Sequence, residues 1–375
     1  MYTAFLNCRK NKSTCTSALQ FSYSELCRNI LDICDDINNR TLEHSRSSCF
    51  VITSPSPREI FAAQFRDRVI QHFFIEEVNP IIEEMLVPQT TSCRTDKGTD
   101  YALRLLKDYV TSATENGTKD AFYVKIDLSG YFMSIQRSRV TRLMNEIIET
   151  KYQGNYKEEL LYISPIIFMN NPSIDCIKKS NIEMWAKVPE RKRMKPYGDL
   201  GMAIGNITAQ VASNLNLNDV DHFCIEDLDM PEYVRYVDDI IIVNKDKKKL
   251  VNSLPLIETR LSESGQTINR NKTIIDTTYH GIKFLGKVTY PYGYQKASKE
   301  SAARTIKAAR GIIIDEQLIA RLNSQIGKLK NYSCYNLIHD YNNALPGQVW
   351  EFVVFDETKM KFSKGENYGN LRNKN

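Results

Sequence analysis

The chain has 375 residues, 42% hydrophobic and 25% charged, with 12 prolines and 16 glycines, a composition that excludes disordered, collagenous and disulfide-scaffold classes and supports a sizeable core in two or three subdomains. Lys and Arg total 50 against 45 Asp and Glu, a surplus of five that is too small to mark a nucleic-acid partner by itself, so local charge carries more information than the total. No apolar run approaches the roughly 18 residues of a membrane span, and Met1 to Lys12 holds neither a signal-peptide core nor a cleavage site, so a cytoplasmic protein with no membrane partner is expected.

The nine cysteines are odd in number and none sits in a CxxC spacing, which reads as buried or incidental reduced thiols. The first fifty residues are polar and weakly periodic, with one amphipathic helix expected from about Ser24 to Asn38, and no chemistry is assigned to them. Cys49 to Ile52 reads as a short strand followed by Pro55 and Pro57, and Glu59 to Met85 as a long helix broken or turned near Asn79-Pro80. Thr99 to Val110 is a further helix, whereas Ala121 to Ile126 is an aromatic and β-branched run that suits a buried strand ending at Asp127.

A helix from Thr141 to Lys151 and an apolar segment lead to a loop, Lys187 to Lys195, where five basic residues face the single acid Glu190. That loop is either a phosphate contact or a solvated charge run. A helix starting at Asn206, capped by Asn206 or Thr208, follows the turn Gly201 to Gly205. Tyr233 to Tyr236 and Ile240 to Val243 read as two apolar strands of a tight hairpin with Asp238 and Asp239 at its tip. Helix returns from Lys248 to Ser264, strand from Phe284 to Tyr290, and helix from Ser298 to Asn331 with a break at Gly311. From Lys299 to Lys330 seven basic residues, Lys328 and Lys330 among them, stand against three acids, and Arg304, Lys307 and Arg310 fall on one helix face that suits a nucleic-acid backbone or simply solvent. The end of the chain from Lys364 is expected to fray.

Adjacent carboxylates between apolar strands repel each other, and a bound divalent cation is the simplest way to offset that repulsion. Asp127, at the end of another buried strand, completes an oxygen-rich set that suits one or two magnesium ions with substrate phosphates. The bland alternative is ordinary turn chemistry.

These residues carry a resemblance. Phe122-Tyr-Val-Lys-Ile-Asp127-Leu-Ser-Gly-Tyr-Phe132, followed about 110 residues later by Tyr236-Val-Asp-Asp239, resembles the first and third palm motifs of reverse transcriptases. Arg58 to Arg68 is similar to their fingers segment and Gly281 to Gly286 to their primer-grip turn, so the likeness spans roughly residues 49 to 335. Where most members carry QGxxxSP, this chain has Ile204-Gly-Asn-Ile-Thr-Ala-Gln210, similar to the IGxxxSQ form of reverse transcriptases from diversity-generating retroelements. Cys93 to Thr99, Asp175 to Lys179 and Asn216 to Phe223 also resemble that group, whereas Ala209 stands for its usual Ser and Met202-Ala203 for Leu-Pro.

The resemblance implies an α+β right-hand polymerase: an N-terminal extension and fingers over residues 1–118, an antiparallel-sheet palm over 119–296 with a fingers-like insertion at about 141–200, and a helical thumb and tail over 297–375. It implies RNA-directed DNA synthesis from dNTPs with two Mg2+ ions, or Mn2+ as substitute, on a template RNA and cDNA primer-template. Asp127, Asp238 and Asp239 match the metal-binding carboxylates, with the carbonyl of Leu128 as a further ligand and Lys272 as the lysine that protonates departing pyrophosphate. Arg58 matches the triphosphate-holding residue and Phe132 the aromatic gate against a ribose 2′-OH. Ile204, Gly205 and Gln210 match the nucleotide-binding motif, and Tyr236, Phe284, Leu285 and Gly286 brace the primer and template.

An apolar Ile204 offers shape but no hydrogen bond to the incoming nucleotide, and so discriminates weakly; the resemblance likewise implies misincorporation opposite adenine and a small basic oligomeric accessory protein. Core roles remain alternatives for Phe132 and Ile204, and a surface role for Lys272. A group-II-intron-like, retron or phage-defence enzyme, a catalytically idle RNA-binding scaffold and an unrelated metal-dependent nuclease are the competing readings; the intact acid triad weighs against the scaffold, and the motif order against the nuclease.

Overall fold

The structure is a computed structural model that describes all residues except 11–14, 24, 54–55, 328, 330–333 and 374–375. It comprises two units, Met1–Ala102 with Val124–Ile242 and Lys248–Ile274, and Leu103–Tyr123 with Val243–Lys247 and Ile275–Asn375.

The first unit opens with three helices, α1 (Tyr2–Arg9), α2 (Thr16–Tyr23) and α3 (Leu26–Asn38), of which the sequence predicts only the last. Eight-residue helices are too short to persist alone. Here Phe5 of α1 and Phe21 of α2 lie 6.3 and 5.3 Å from the Phe65 ring, so tertiary packing supplies what local periodicity lacks.

Two strands follow, β1 (Ser47–Ile52) and β2 (Arg58–Ala62), antiparallel with Ile52 opposite Arg58 and Ser48 opposite Ala62. The expected helix from Glu59 is therefore corrected. Glu59 and Phe61 alternate inward as a strand requires, and helix begins only with α4 (Phe65–Met85). Nor does α4 break at Pro80: Val78 and Ile82 are buried on either side, and packing outweighs the one lost N–H bond.

After α5 (Thr99–Ala113) come β3 (Phe122–Asp127), the single turn α6 (Tyr131–Ser134), and the mutually packed α7 (Arg137–Lys151) and α8 (Lys157–Met169). Strand β4 (Cys176–Lys178) pairs parallel with β1, placing Ser47 opposite Cys176 in a sheet of order β2-β1-β4. Beyond α9 (Ile182–Ala186), α10 (Ile207–Asn216) starts after Asn206 as expected. The Asn206 side chain does not cap the helix, however; its Oδ1 accepts from Ala63 N at 3.3 Å. Past α11 (Asn218–His222), the expected hairpin forms from β5 (Tyr233–Tyr236) and β6 (Asp239–Asn244), and β5, β6 and β3 lie side by side in that order. Helix α12 (Lys247–Glu263) comes next.

In the second unit, β7 (Ile274–Thr277) precedes an antiparallel meander of β8 (Ile282–Phe284), β9 (Lys287–Thr289) and β10 (Gln295–Ala297). The single strand expected over 284–290 is thus two, reversing at Leu285 and Gly286, whose φ values of +45° and +82° suit a tight hairpin turn. Helix α13 (Lys299–Arg310) stops at Gly311 as the sequence indicates, and Arg304, Lys307 and Arg310 are exposed on it; Lys328 and Lys330 lie outside the described residues. After α14 (Leu318–Gly327) and α15 (Tyr335–Ala344), the chain forms a hairpin, β11 (Val353–Asp356) with β12 (Lys361–Lys364). Against the expected fraying from Lys364, Leu371 is buried with Phe362, Leu322, Ile338 and Tyr341; residues 374–375 lie outside the described residues. None of the nine cysteines is in a disulfide, and among the described residues no helix is long and apolar enough to cross a membrane.

Candidate active site

The β5–β6 hairpin pairs Tyr236 with Asp239, leaving Val237 and Asp238 as its two turn residues. Val237 has φ +58°, the sign that a two-residue hairpin turn demands and that a β-branched residue resists. The turn aims the Asp238 side chain into a cavity of about 180 Å³ that is also lined by Asp127, Leu128, Phe132, Arg58, Ile204 and Lys272. Each comes from a different local device: Asp127 from the end of β3, Phe132 from α6, Arg58 from the start of β2, and Ile204 from the segment leading into α10.

Asp127 is held by two groups from the segment after α12. Asn269 donates Nδ2 to Oδ2 at 3.0 Å, and Lys272 Nζ lies 3.7 Å from Oδ1. The backbone follows suit, with Asn269 N donating to the Asp127 carbonyl at 2.8 Å. Asp239 instead meets Lys125 at 3.5 Å and does not line the cavity.

Burial first, then the neighbouring Asp239 and Asp127 carboxylates, push Asp238 up to about 6, against a smaller downward pull from Arg58. Arg191 and Lys192, contributed by the basic loop that precedes α10, line the same cavity. Ser56 Oγ accepts from both Lys192 Nζ at 3.1 Å and Arg58 Nη2 at 3.4 Å, which gathers two cations at one hydroxyl. Burial and the charges of Arg58, Arg191 and Lys272 hold the Lys192 amine below its ordinary value. The cavity therefore gathers carboxylates that repel each other together with cations that repel each other. Such a lining suits a divalent cation bound together with a polyanion.

Among the described residues, no three Asp, Glu, His or Cys side chains are already gathered in ligating geometry. Two carboxylates, Asp127 and Asp238, do face one space beside Leu128. All-oxygen donors of this kind fit Mg2+.

Of the other residues singled out by sequence, Gly205 and Gln210 are exposed and do not line the cavity, and the Tyr236 hydroxyl accepts from Thr99 Oγ1 at 3.4 Å. Phe284, Leu285 and Gly286 belong to the second unit, where Phe284 is buried and Gly286 O accepts from Ser298 N at 2.9 Å. Arg66 and Arg68 are engaged structurally, Arg66 with Asp36 at 2.5 Å and Arg68 with the Ala63 carbonyl at 2.7 Å. Sequence reasoning missed Asn269; its only signal was its place in the turn that carries Lys272.

The family model for reverse transcriptase (RNA-dependent DNA polymerase) matches residues 53–288. No curated protein matches the sequence. Among solved structures, apo telomerase from Candida tropicalis is similar in fold at 9% identity and a TM-score of 0.51, covering 86% of this chain and 60% of that one. Telomerase from Candida albicans with a TWJ fragment of telomeric RNA gives 13% identity and a TM-score of 0.48, covering 87% of this chain and 64% of the other. The chain thus spans about three fifths of the length of the structures it resembles.

Proposed function

The chain belongs to the reverse transcriptase (RNA-dependent DNA polymerase) family, and from that premise we propose that it copies a template RNA into cDNA by nucleotidyl transfer from dNTPs. The observation that carries the reading is one cavity lined both by the carboxylates Asp127 and Asp238 and by the cations Arg58, Arg191, Lys192 and Lys272. In this assignment Asp127 and Asp238, with the Leu128 carbonyl, would hold divalent metal, and Asp239, turned to Lys125, would be the less direct member of the acid set. Two Mg2+ ions, or Mn2+ in their place, would supply charge stabilisation to the attacking and leaving oxygens when bound.

The rest falls to the chain itself. Arg58 and Lys192 bind the triphosphate, the planar guanidinium matching phosphate oxygens. The primer 3′-hydroxyl gives up its proton to water as its oxygen bonds to the α-phosphorus, the bond to pyrophosphate breaks, and Lys272 supplies a proton to the departing oxygen as a general acid and regains one from solvent. Phe132 closes the floor under the sugar, so that a 2′-OH has no room. Replacement Phe132→Ala is expected to raise ribonucleotide use relative to dNTPs by at least about tenfold, measured as the ratio of kcat/KM values; an unchanged ratio removes Phe132 from this role.

The likeness of Ile204 to Gln210 to the IGxxxSQ form supports reading the enzyme as one of the diversity-generating retroelement group. Ile204 lines the cavity with an aliphatic side chain that offers the nucleotide no donor or acceptor. On this reading the enzyme is error-prone opposite template adenine and serves targeted gene diversification, with a small basic oligomeric accessory protein as partner. Residues 1–118 serve as N-terminal extension and fingers, 119–296 as palm and 297–375 as thumb and tail; Gly205 and Gln210 belong to the nucleotide-binding motif, and Tyr236 and the Phe284 to Gly286 turn brace primer and template. Nine cysteines outside any disulfide accord with a reducing, cytoplasmic setting. Copying a defined RNA and sequencing the product tests the proposal. Ile204→Gln is expected to cut errors opposite adenine by about tenfold. Uniformly low error in the unaltered enzyme moves it to the other reverse transcriptases, and no synthesis at all leaves an RNA-binding scaffold.

A further inference from the structure

The strained residue of the hairpin tip is held by side chains outside the cavity. Val237 N–H donates to Ser92 Oγ at 3.0 Å, and Val237 C=O accepts from Arg235 Nη1 at 3.1 Å. Ser92 comes from the segment between α4 and α5 and Arg235 from β5, and both are fully buried. Neither is free to relax. Arg235 binds Asp221 through two donors, Nε to Oδ1 at 2.7 Å and Nη2 to Oδ2 at 2.5 Å, and Nη2 also reaches the Asn214 carbonyl at 3.2 Å. Asp221 further accepts from the Tyr233 hydroxyl at 2.5 Å and Thr90 Oγ1 at 2.7 Å. Ser92 exchanges bonds with Asn214, donating Oγ to Oδ1 at 3.3 Å and accepting Nδ2 on its carbonyl at 2.9 Å.

A buried ion pair is weak evidence for stability and better evidence for a fixed geometry. Here the geometry it fixes is a φ of +58° at a valine, one residue before Asp238. Glycine takes that conformation freely, whereas a β-branched residue does not. We propose that Ser92 and Arg235 are positioning residues that hold Val237 in its positive-φ conformation, and thereby keep the Asp238 carboxylate turned toward Asp127 for divalent metal. The proposal rests on the reading of Asp238 as a metal ligand.

The test measures Mn2+ binding to the full chain by electron paramagnetic resonance of the free ion, alongside thermal unfolding. Ser92→Ala removes one oxygen and is expected to weaken Mn2+ binding by about five- to tenfold, as loss of one buried hydrogen bond implies. In a Val237→Gly background the same change is expected to weaken binding less than about twofold, because glycine needs no enforcement. Arg235→Lys, which keeps the charge near Asp221 but loses the Nη1 donor to Val237 O, is the second probe and is expected to follow the same pattern. Equal losses in the valine and glycine backgrounds, or a lower unfolding temperature with unchanged Mn2+ affinity, overturn the positioning role. Asp238→Asn separates the premise: if it leaves Mn2+ binding intact, the metal reading falls first and the positioning role with it.

Discussion

Asp238→Asn combined with Asp239→Asn is expected to lower dNTP incorporation on an RNA template by about a thousandfold or more, since a metal site supplies several kcal/mol of charge stabilisation to the transition state. The same change is expected to leave the folded state no less stable. Burial and the charges of Asp239 and Asp127 raise Asp238 to about 6, so its ionised form is disfavoured in the folded chain relative to the unfolded one. At pH 7 that group therefore opposes folding, and a neutral isostere relieves the opposition. Mg2+ should reverse the order: added to the unaltered protein it raises the unfolding temperature, because it binds the folded state alone, and added to the double variant it does not. Activity lost together with a collapse of the fold, or a Mg2+ shift that survives in the variant, contradicts this account of the carboxylates.

The legibility of that site in the sequence has a physical explanation. Asp127 and the Asp238-Asp239 pair stand out because an acid that ends an apolar β-branched run contradicts the run, and such contradictions mark function. Arg235 is the same kind of contradiction, a cation inside the apolar strand Tyr233 to Tyr236, but its partner Asp221 lies on a helix and the pairing appears only in three dimensions. The basic residues of the Lys187 to Lys195 loop were readable as charge and unreadable as place: Arg191 and Lys192 face the cavity only because the loop folds back across it.

Among the elements, β2 was misread because Arg58 to Ala62 contains good helix formers, while the register with β1 decides its conformation. The terminal hairpin and its buried Leu371 escaped notice because a short polar stretch gives no periodic signal, and its order comes from the core it covers.

Gly205→Ala is expected to disturb both stability and nucleotide use, through a contact that no motif reveals. Gly205 has φ +125°, a conformation side-chain-bearing residues rarely adopt, and a Cβ there would lie 2.6 Å from the Phe61 carbonyl oxygen and 2.9 Å from Ile60 Cγ2. The obstruction is backbone on one side, so rotamer changes cannot relieve it. Phe61 N also donates to the Ile204 carbonyl at 2.8 Å, and Ala63 N to Asn206 Oδ1 at 3.3 Å, so β2 is fastened to the segment on both sides of the glycine. Pushing the two apart moves Arg58 at one end of β2 and Ile204 beside the glycine, which face the same cavity. The expected loss is about 1 to 3 kcal/mol in stability, from strain together with overpacking. The expected kinetic sign is a rise in dNTP KM larger than any fall in kcat, as befits displaced binding groups. Gly98→Ala supplies the comparison, because Gly98 has a similar φ of +130° and nothing within 4 Å of the added atom. Strain alone predicts equal destabilisation in the two variants, with KM unchanged in both. A greater loss at Gly205, accompanied by the KM shift, assigns the difference to the fit of β2 against the turn, and so to the alignment of Arg58 with Ile204 across the cavity.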